Sequence, residues 1–146
     1  MYILKNKNDS SIVEFANLQG DDWLDITNLP EGAEYLLNKA KISKLAQITP
    51  ARDAFMFANI EYNGSTFTNS QVSGNNITSA LAIMGTTIDW LDTSGNLVVM
   101  TKVQLKELGG LIMNKRNVGY FKEATLTTQI NACTTIEQVE AINIDF

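Results

Sequence analysis

Asn63-Gly64, inside NIEYNGSTFTN, commits its neighbours to a β-hairpin. A two-residue type I′ turn needs positive φ at both central positions, and this dipeptide tolerates them well. The register that follows sets Tyr62 opposite Ser65 and Ile60 opposite Phe67. Ile60, Tyr62 and Phe67 then share one face while Glu61 and Thr66 take the other, giving a half-buried hairpin.

Two further stretches read the same way. TIDWL and NLVVM are strands joined by DTSGN, and the alternation within TIDWL turns Trp90 to the core and Asp89 to solvent. Near the N-terminus, YIL and SIVEF flank the polar cluster KNKNDS as a hairpin, and WLDIT follows the turn-like LQGDD as a third strand. The polar residues lean on Asn and Thr rather than Lys and Glu, which suits turns, caps and strand surfaces.

Between the strands the period changes. From Ala33 to about Ile48, Leu37, Ala40 or Lys41, Lys44 and Leu45, and Ile48 recur at helical spacing. NLPEG precedes this stretch, with Pro30 disfavouring helix at Leu29. Thr49-Pro50 leaves two readings open: a new short helix, ARDAFMFA, capped by Thr49, or one long helix kinked at Pro50. NITSALAIMG is predicted to be a short helix with Asn76 as N-cap and Gly85 as the C′ residue. Thr101 and Gln104 form a capping box that opens another, with Leu105, Leu108, Leu111 and Ile112 on one side. Gly109-Gly110 inside it costs on the order of 1 kcal/mol per residue relative to Ala. Either close helix packing or a helix end explains the pair. Phe121 to Cys133 reads as a further helix, with Ala124, Leu126 or Thr127, and Ile130 facing inward. Thr134 and Glu137 give a second capping box for a last short helix striped by Ile136, Val139 and Ile142.

The expected fold is therefore α+β, with short β-hairpins packed against several short-to-medium helices. Residues 1–30 read as a β-rich leader and 31–146 as an α+β domain, with a single domain 1–146 as the other division the pattern allows. A chain of 146 residues can bury such a core unaided.

Charge and composition exclude several chemistries. A net charge of −5 argues against nucleic acid as a ligand, since neutralising phosphates needs clustered cations. The nearest basic cluster, Lys39, Lys41 and Lys44, reads as the solvated face of a helix. Histidine is absent, which removes the commonest general base and most catalytic zinc sites. Cys133 is the sole cysteine, so no internal disulfide forms, and its apolar and Thr neighbours predict a buried small hydrophobe. No apolar run reaches the roughly 20 residues of a membrane span, and no signal peptide is visible, so synthesis and folding in a cytoplasm are expected.

The acidic residues fail as sites on spacing. Asp92, Ser94 and Asn96 alternate as in a calcium loop, but the twelfth position counted from Asp92 is Val103, not the closing carboxylate, and the flanks are strands. A hairpin turn explains every residue of DTSGN. Asp21, Asp22 and Asp25, like Asp89 and Asp92, read as solvated turn acids rather than a glycosidase pair. Arg52-Asp53 reads as a structural bond between its helix and another element. Trp23 is open between core and surface. No catalytic, cofactor-binding or metal residue is assigned, and no enzyme is expected.

From PARDAF onward the pattern resembles a domain of unknown function found in tailed-phage and prophage tail and tail-fibre proteins. The residues that carry the likeness are Arg52, Tyr62, Gly64, Phe67, Trp90, Asp92, Gly95, Met100, Thr101 and Leu105, then Ile130, Ala132, Thr134, Glu137 and Ile142. They are turn, cap and core positions and bring no catalytic residue with them. MYILKNKNDSSIVEFAN is similar to the β-rich leader of small tail-fibre assembly proteins. The resemblance implies a non-enzymatic structural or interaction protein of a bacteriophage tail or tail fibre, located in the virion tail after synthesis in the host cytoplasm. Its implied partners are other tail proteins, with a homo-oligomer, such as a trimer, among the allowed states, and neither nucleic acid nor membrane. A tail-fibre assembly chaperone, or a phage inhibitor of a host protein, is the alternative.

Overall fold

The computed structural model describes residues 1–17, 20, 21 and 23–146; Leu18, Gln19 and Asp22, which fall in the expected LQGDD turn, lie outside them. The fold is α+β, as the periodicities predict: seven short strands and four helices among the described residues. The chain divides into two compact units, one of Met1–Ala46 with Thr128–Asn143 and one of Gln47–Thr127 with Ile144–Phe146.

The first unit holds a three-stranded antiparallel sheet of β1 (Tyr2–Asn6), β2 (Ile12–Phe15) and β3 (Trp23–Asp25) in the order β2-β1-β3. Trp23 lies edge-on to Phe15, their ring centroids 5.3 Å apart, which settles its open status as half-buried packing. Ile3, Leu4 and Ile26 are buried, and Ile26 N–H donates back to the Ile3 carbonyl at 2.9 Å. The sheet leads into α1 (Pro30–Phe57), where Pro30 takes the first helical position, the one place where its missing N–H is not needed. Lys5 to Glu31 and Lys39 to Glu14 pair strand with helix. The short helix α4 (Ile136–Ala141) closes this unit. Its box is one residue later than expected: Thr135 caps and Gln138, not Glu137, reciprocates. Adjacent threonines made both registers available, and the observed one buries Val139.

The second unit contains two hairpins and the remaining helices. In β4 (Ile60–Tyr62) and β5 (Ser65–Phe67) the register is the expected one, with Asn63 at φ 51° and Gly64 at φ 81°. The second hairpin pairs β6 (Thr87–Leu91) with β7 (Leu97–Thr101). Its turn docks on the first hairpin through Thr93 N–H to the Thr66 carbonyl at 2.8 Å. Ile60, Phe67, Ile77, Ala80, Met100, Leu105, Leu108 and Ile112 form the core, with Trp90 packed against it.

The helices depart most from expectation. α1 runs unbroken through Pro50, so the second of the two readings holds in its continuity. Ile48 and Met56, on either side of the proline, are both 1% exposed, and burying them outweighs the lost hydrogen bond. α2 (Gln71–Ile83) begins six residues before the expected start; Ser70, not Asn76, is its N-cap, in a reciprocal box with Ser73. Gly85 follows the C-cap Met84 without adopting positive φ. The helix expected to hold Gly109-Gly110 and the further helix expected over Phe121 to Cys133 are one, α3 (Lys102–Ala132), opened by the expected Thr101–Gln104 box. Leu105, Leu108, Ile112, Leu126 and Ile130 face inward as read, but Leu111 and Ala124 are exposed.

Asn69, 1% exposed, fixes the junction of α1 and α2: its amide donates to the carbonyls of Met56 and Ala58 at the end of α1. Lys115 Nζ also reaches the Ala58 carbonyl, at 3.1 Å, a cation placed at the negative end of the helix. No helix among the described residues is long and apolar enough to cross a membrane.

Two predictions test this packing. Gly32→Ala should destabilise despite alanine's better helix propensity, because a Cβ there would run into the Ile26 carbonyl, whereas Gly110→Ala, with open space at its Cβ, should stabilise by about 1 kcal/mol. Thermal melts of the two variants should move in opposite directions. Asn69→Ala strands the buried Met56 carbonyl, while the Ala58 carbonyl keeps Lys115, and should cost about 1–3 kcal/mol in denaturant titration.

Candidate functional site

Asp92 turns its carboxylate onto its own loop: Oδ1 accepts the N–H groups of Ser94 and Asn96, each at 2.8 Å, and Oδ2 accepts Asn96 Nδ2 at 3.0 Å. Gly95, at φ 85°, completes the turn. The oxygens are spent on hairpin closure, as the turn reading requires. Asp25 likewise accepts the Thr27 hydroxyl and N–H. Asp89 sits exposed on β6, and Asp22 lies outside the described residues. Among the described residues no three His, Cys, Asp or Glu side chains gather into a set able to hold a metal.

Arg52 is structural, as expected. It donates to Asp53 from Nε and Nη2 and to Glu123 from Nη1 at 2.7 Å, while its guanidinium lies over the Tyr120 ring. This ties α1 to α3 beside Gly119, whose missing Cβ admits the Met56 side chain. The three lysines of α1 are more engaged than a solvated face implies. Lys39 pairs with Glu14, and Lys41 and Lys44 donate to the carbonyls of Asn131 and Glu140. Cys133 is half-buried rather than buried, with its thiol donating to the Gln129 carbonyl, because it lies just past the end of α3.

Two features remain that sequence reading did not assemble. The first is the outer face of the β6–β7 hairpin. Leu91 pairs with Leu97 and Asp89 with Val99, so these side chains project together, away from Ile88, Trp90, Val98 and Met100. Leu91, Leu97 and Val99 are 59%, 68% and 65% exposed. Alternation predicts this face; its apolar content is legible in LVVM, where hydrophobic residues occupy both faces.

The second is a groove of about 510 Å³ between α2 and α3. Ile77, Leu81, Ile112 and Met113 supply its apolar wall, and Gly74, Gly109 and Gly110 leave its floor without side chains. Gly109 is needed for the approach of α2, since a Cβ there would stand 3.1 Å from Ile77 Cγ2. Arg116 lines the same groove, only 9% exposed. Its Nη2 donates to the Ser70 carbonyl at 2.9 Å and its guanidinium carbon lies 5.7 Å from the Phe57 ring centre, but Nε has no acceptor and no carboxylate is in ion-pairing reach among the described residues. The signal was the spacing: Gly109 and Arg116 are two helical turns apart and share a face.

Hydrogen bonds from the Asn96 side chain, then from backbone N–H groups, hold the Asp92 carboxyl below the usual aspartate range. A depressed carboxyl adds stability that is complete above the unfolded-state pKa, near 4, and is lost as pH falls through the folded value. Carbon-detected titration of Asp92 should therefore show a midpoint below that of a free aspartate, and Asp92→Ala should remove the acid-dependent loosening of the β6–β7 turn.

Comparison with known proteins places this geometry. No curated protein and no solved structure matches the chain. Residues 39–144, well over half of it, match the model of a domain of unknown function (DUF4376). The resemblance read from the hairpins and caps is met in this coarser form, over a span that starts earlier, within α1. The chain belongs to the DUF4376 family, with the β4–β5 and β6–β7 hairpins, the α2–α3 groove and the whole of α4 inside the shared domain.

Proposed function

We propose that this chain is a non-enzymatic structural or interaction protein of a bacteriophage tail or tail fibre, which binds other tail proteins. The setting rests on the resemblance of its hairpin, cap and core pattern to phage tail domains, and on the β-rich leader. The observation that carries an interaction role is the outer face of β6–β7. There, three large aliphatic side chains stand exposed and adjacent, rimmed by Thr87, Asp89 and Thr101. An apolar patch with a polar rim is how contact surfaces between proteins are built. Burying each such side chain on a partner contributes on the order of 1.5–3 kcal/mol before ordering costs. A two-stranded hairpin also leaves its outer strand edges open for pairing.

The test is quantitative mass spectrometry of purified particles from the phage or induced prophage that encodes the chain. Detection at a fixed ratio to capsid protein is the expected result. Abundance in the lysate with absence from particles would overturn the virion reading and favour a tail-fibre assembly chaperone. Leu97→Lys with Val99→Lys should leave the melting temperature nearly unchanged, because both positions are exposed, and should abolish incorporation.

A further inference from the structure

A buried guanidinium without a carboxylate is an expensive feature to keep. Arg116 is such a group. One of its nitrogens serves the Ser70 carbonyl, one is shut off from solvent without an acceptor, and Nη1 has no acceptor among the described residues. The groove it lines also holds Lys106 and no acidic side chain, in a chain whose net charge is −5. Positive charge is concentrated here against the overall balance. The remaining wall is largely aliphatic, and the volume of about 510 Å³ lies within the range of small-ligand sites, roughly 300–1,000 Å³.

We infer that the α2–α3 groove binds a small aliphatic carboxylate, with the carboxylate on Arg116 and the hydrocarbon chain running along Ile112 and Ile77 towards Lys106. The free Nη1 N–H groups supply charge-assisted donors, which are stronger than neutral ones and strengthen further where water is excluded. Gly74 gives the guanidinium its room: a Cβ there would lie 3.2 Å from both terminal nitrogens. Gly110 opens the groove beside it, because nothing stands within 4 Å of the position its Cβ would take. This site is independent of the β6–β7 face, so either can fail without the other.

The test titrates the full chain with octanoate, octanol and inorganic phosphate, read by amide shifts in two-dimensional NMR. Octanoate is expected to move amides of α2 and α3 around Gly74 and Gly110, with octanol at least tenfold weaker and phosphate alone at least tenfold weaker. Lys106→Gln, at an exposed position about 15 Å of helix rise from Arg116, should change octanoate binding by less than about twofold, and Arg116→Gln should weaken it at least tenfold. Gly110→Leu fills the groove at an open position on the helix, so it should stay folded and abolish the shifts; it carries the test even if Arg116→Gln does not fold. The inference is overturned if octanoate leaves these amides unmoved, if octanol or phosphate binds as well as octanoate, or if folded Gly110→Leu still binds.

Discussion

The second unit depends on the junction at Asn69 and Ser70. A helix leaves its last carbonyls without partners, and a buried carbonyl without a partner is destabilising by an amount comparable to a lost hydrogen bond. The Asn69 amide takes two carbonyls at the end of α1, and the next residue caps the start of α2. The Ser70 carbonyl then receives Arg116 from α3, and Lys115, one residue earlier, reaches the end of α1. Two consecutive side chains on α3 therefore bind the end of one helix and the start of another. Three helices are oriented by polar contacts that leave the aliphatic residues to fill what remains.

That arrangement explains why Arg116 is tolerated where a charge is unfavourable. Its contact with Ser70 positions α2, and the Phe57 ring beneath it offers a polarisable face. Neither contact neutralises the charge. The groove above it is thus electrostatically incomplete, while the β6–β7 face is incomplete in a different sense, apolar and uncovered. The two features ask for different partners: an anion with a hydrocarbon body, and another protein surface.

Much of the fold is legible in the chain. The Asn63-Gly64 turn, the pairing in both later hairpins, the three N-terminal strands and the Thr101–Gln104 box follow from chemistry within a few residues. The misreadings share a cause. Asn76 competes well as a local cap, but Ser70 lies beside the end of α1 and reciprocates with Ser73. Thr134 and Thr135 are equivalent locally, and burial of Val139 chose between them. Leu111 belongs to the apolar side of a short helix, yet in the long α3 it falls off the buried arc.

The sequence by itself determined the hairpins, the turn role of Asp92 and the helix start at Thr101, because backbone tolerance and capping act over two to four residues. Only the tertiary structure decided that α1 passes through Pro50 and α3 through Gly109-Gly110. A proline or a glycine pair lowers helix stability by a fixed local amount, and whether the helix survives depends on what distant segments bury against it. The same holds for Arg116. Its identity is in the sequence, but its lack of an ion-pairing carboxylate among the described residues is a property of the packed helices, since burial and the distance between charges exist only once the chain has folded.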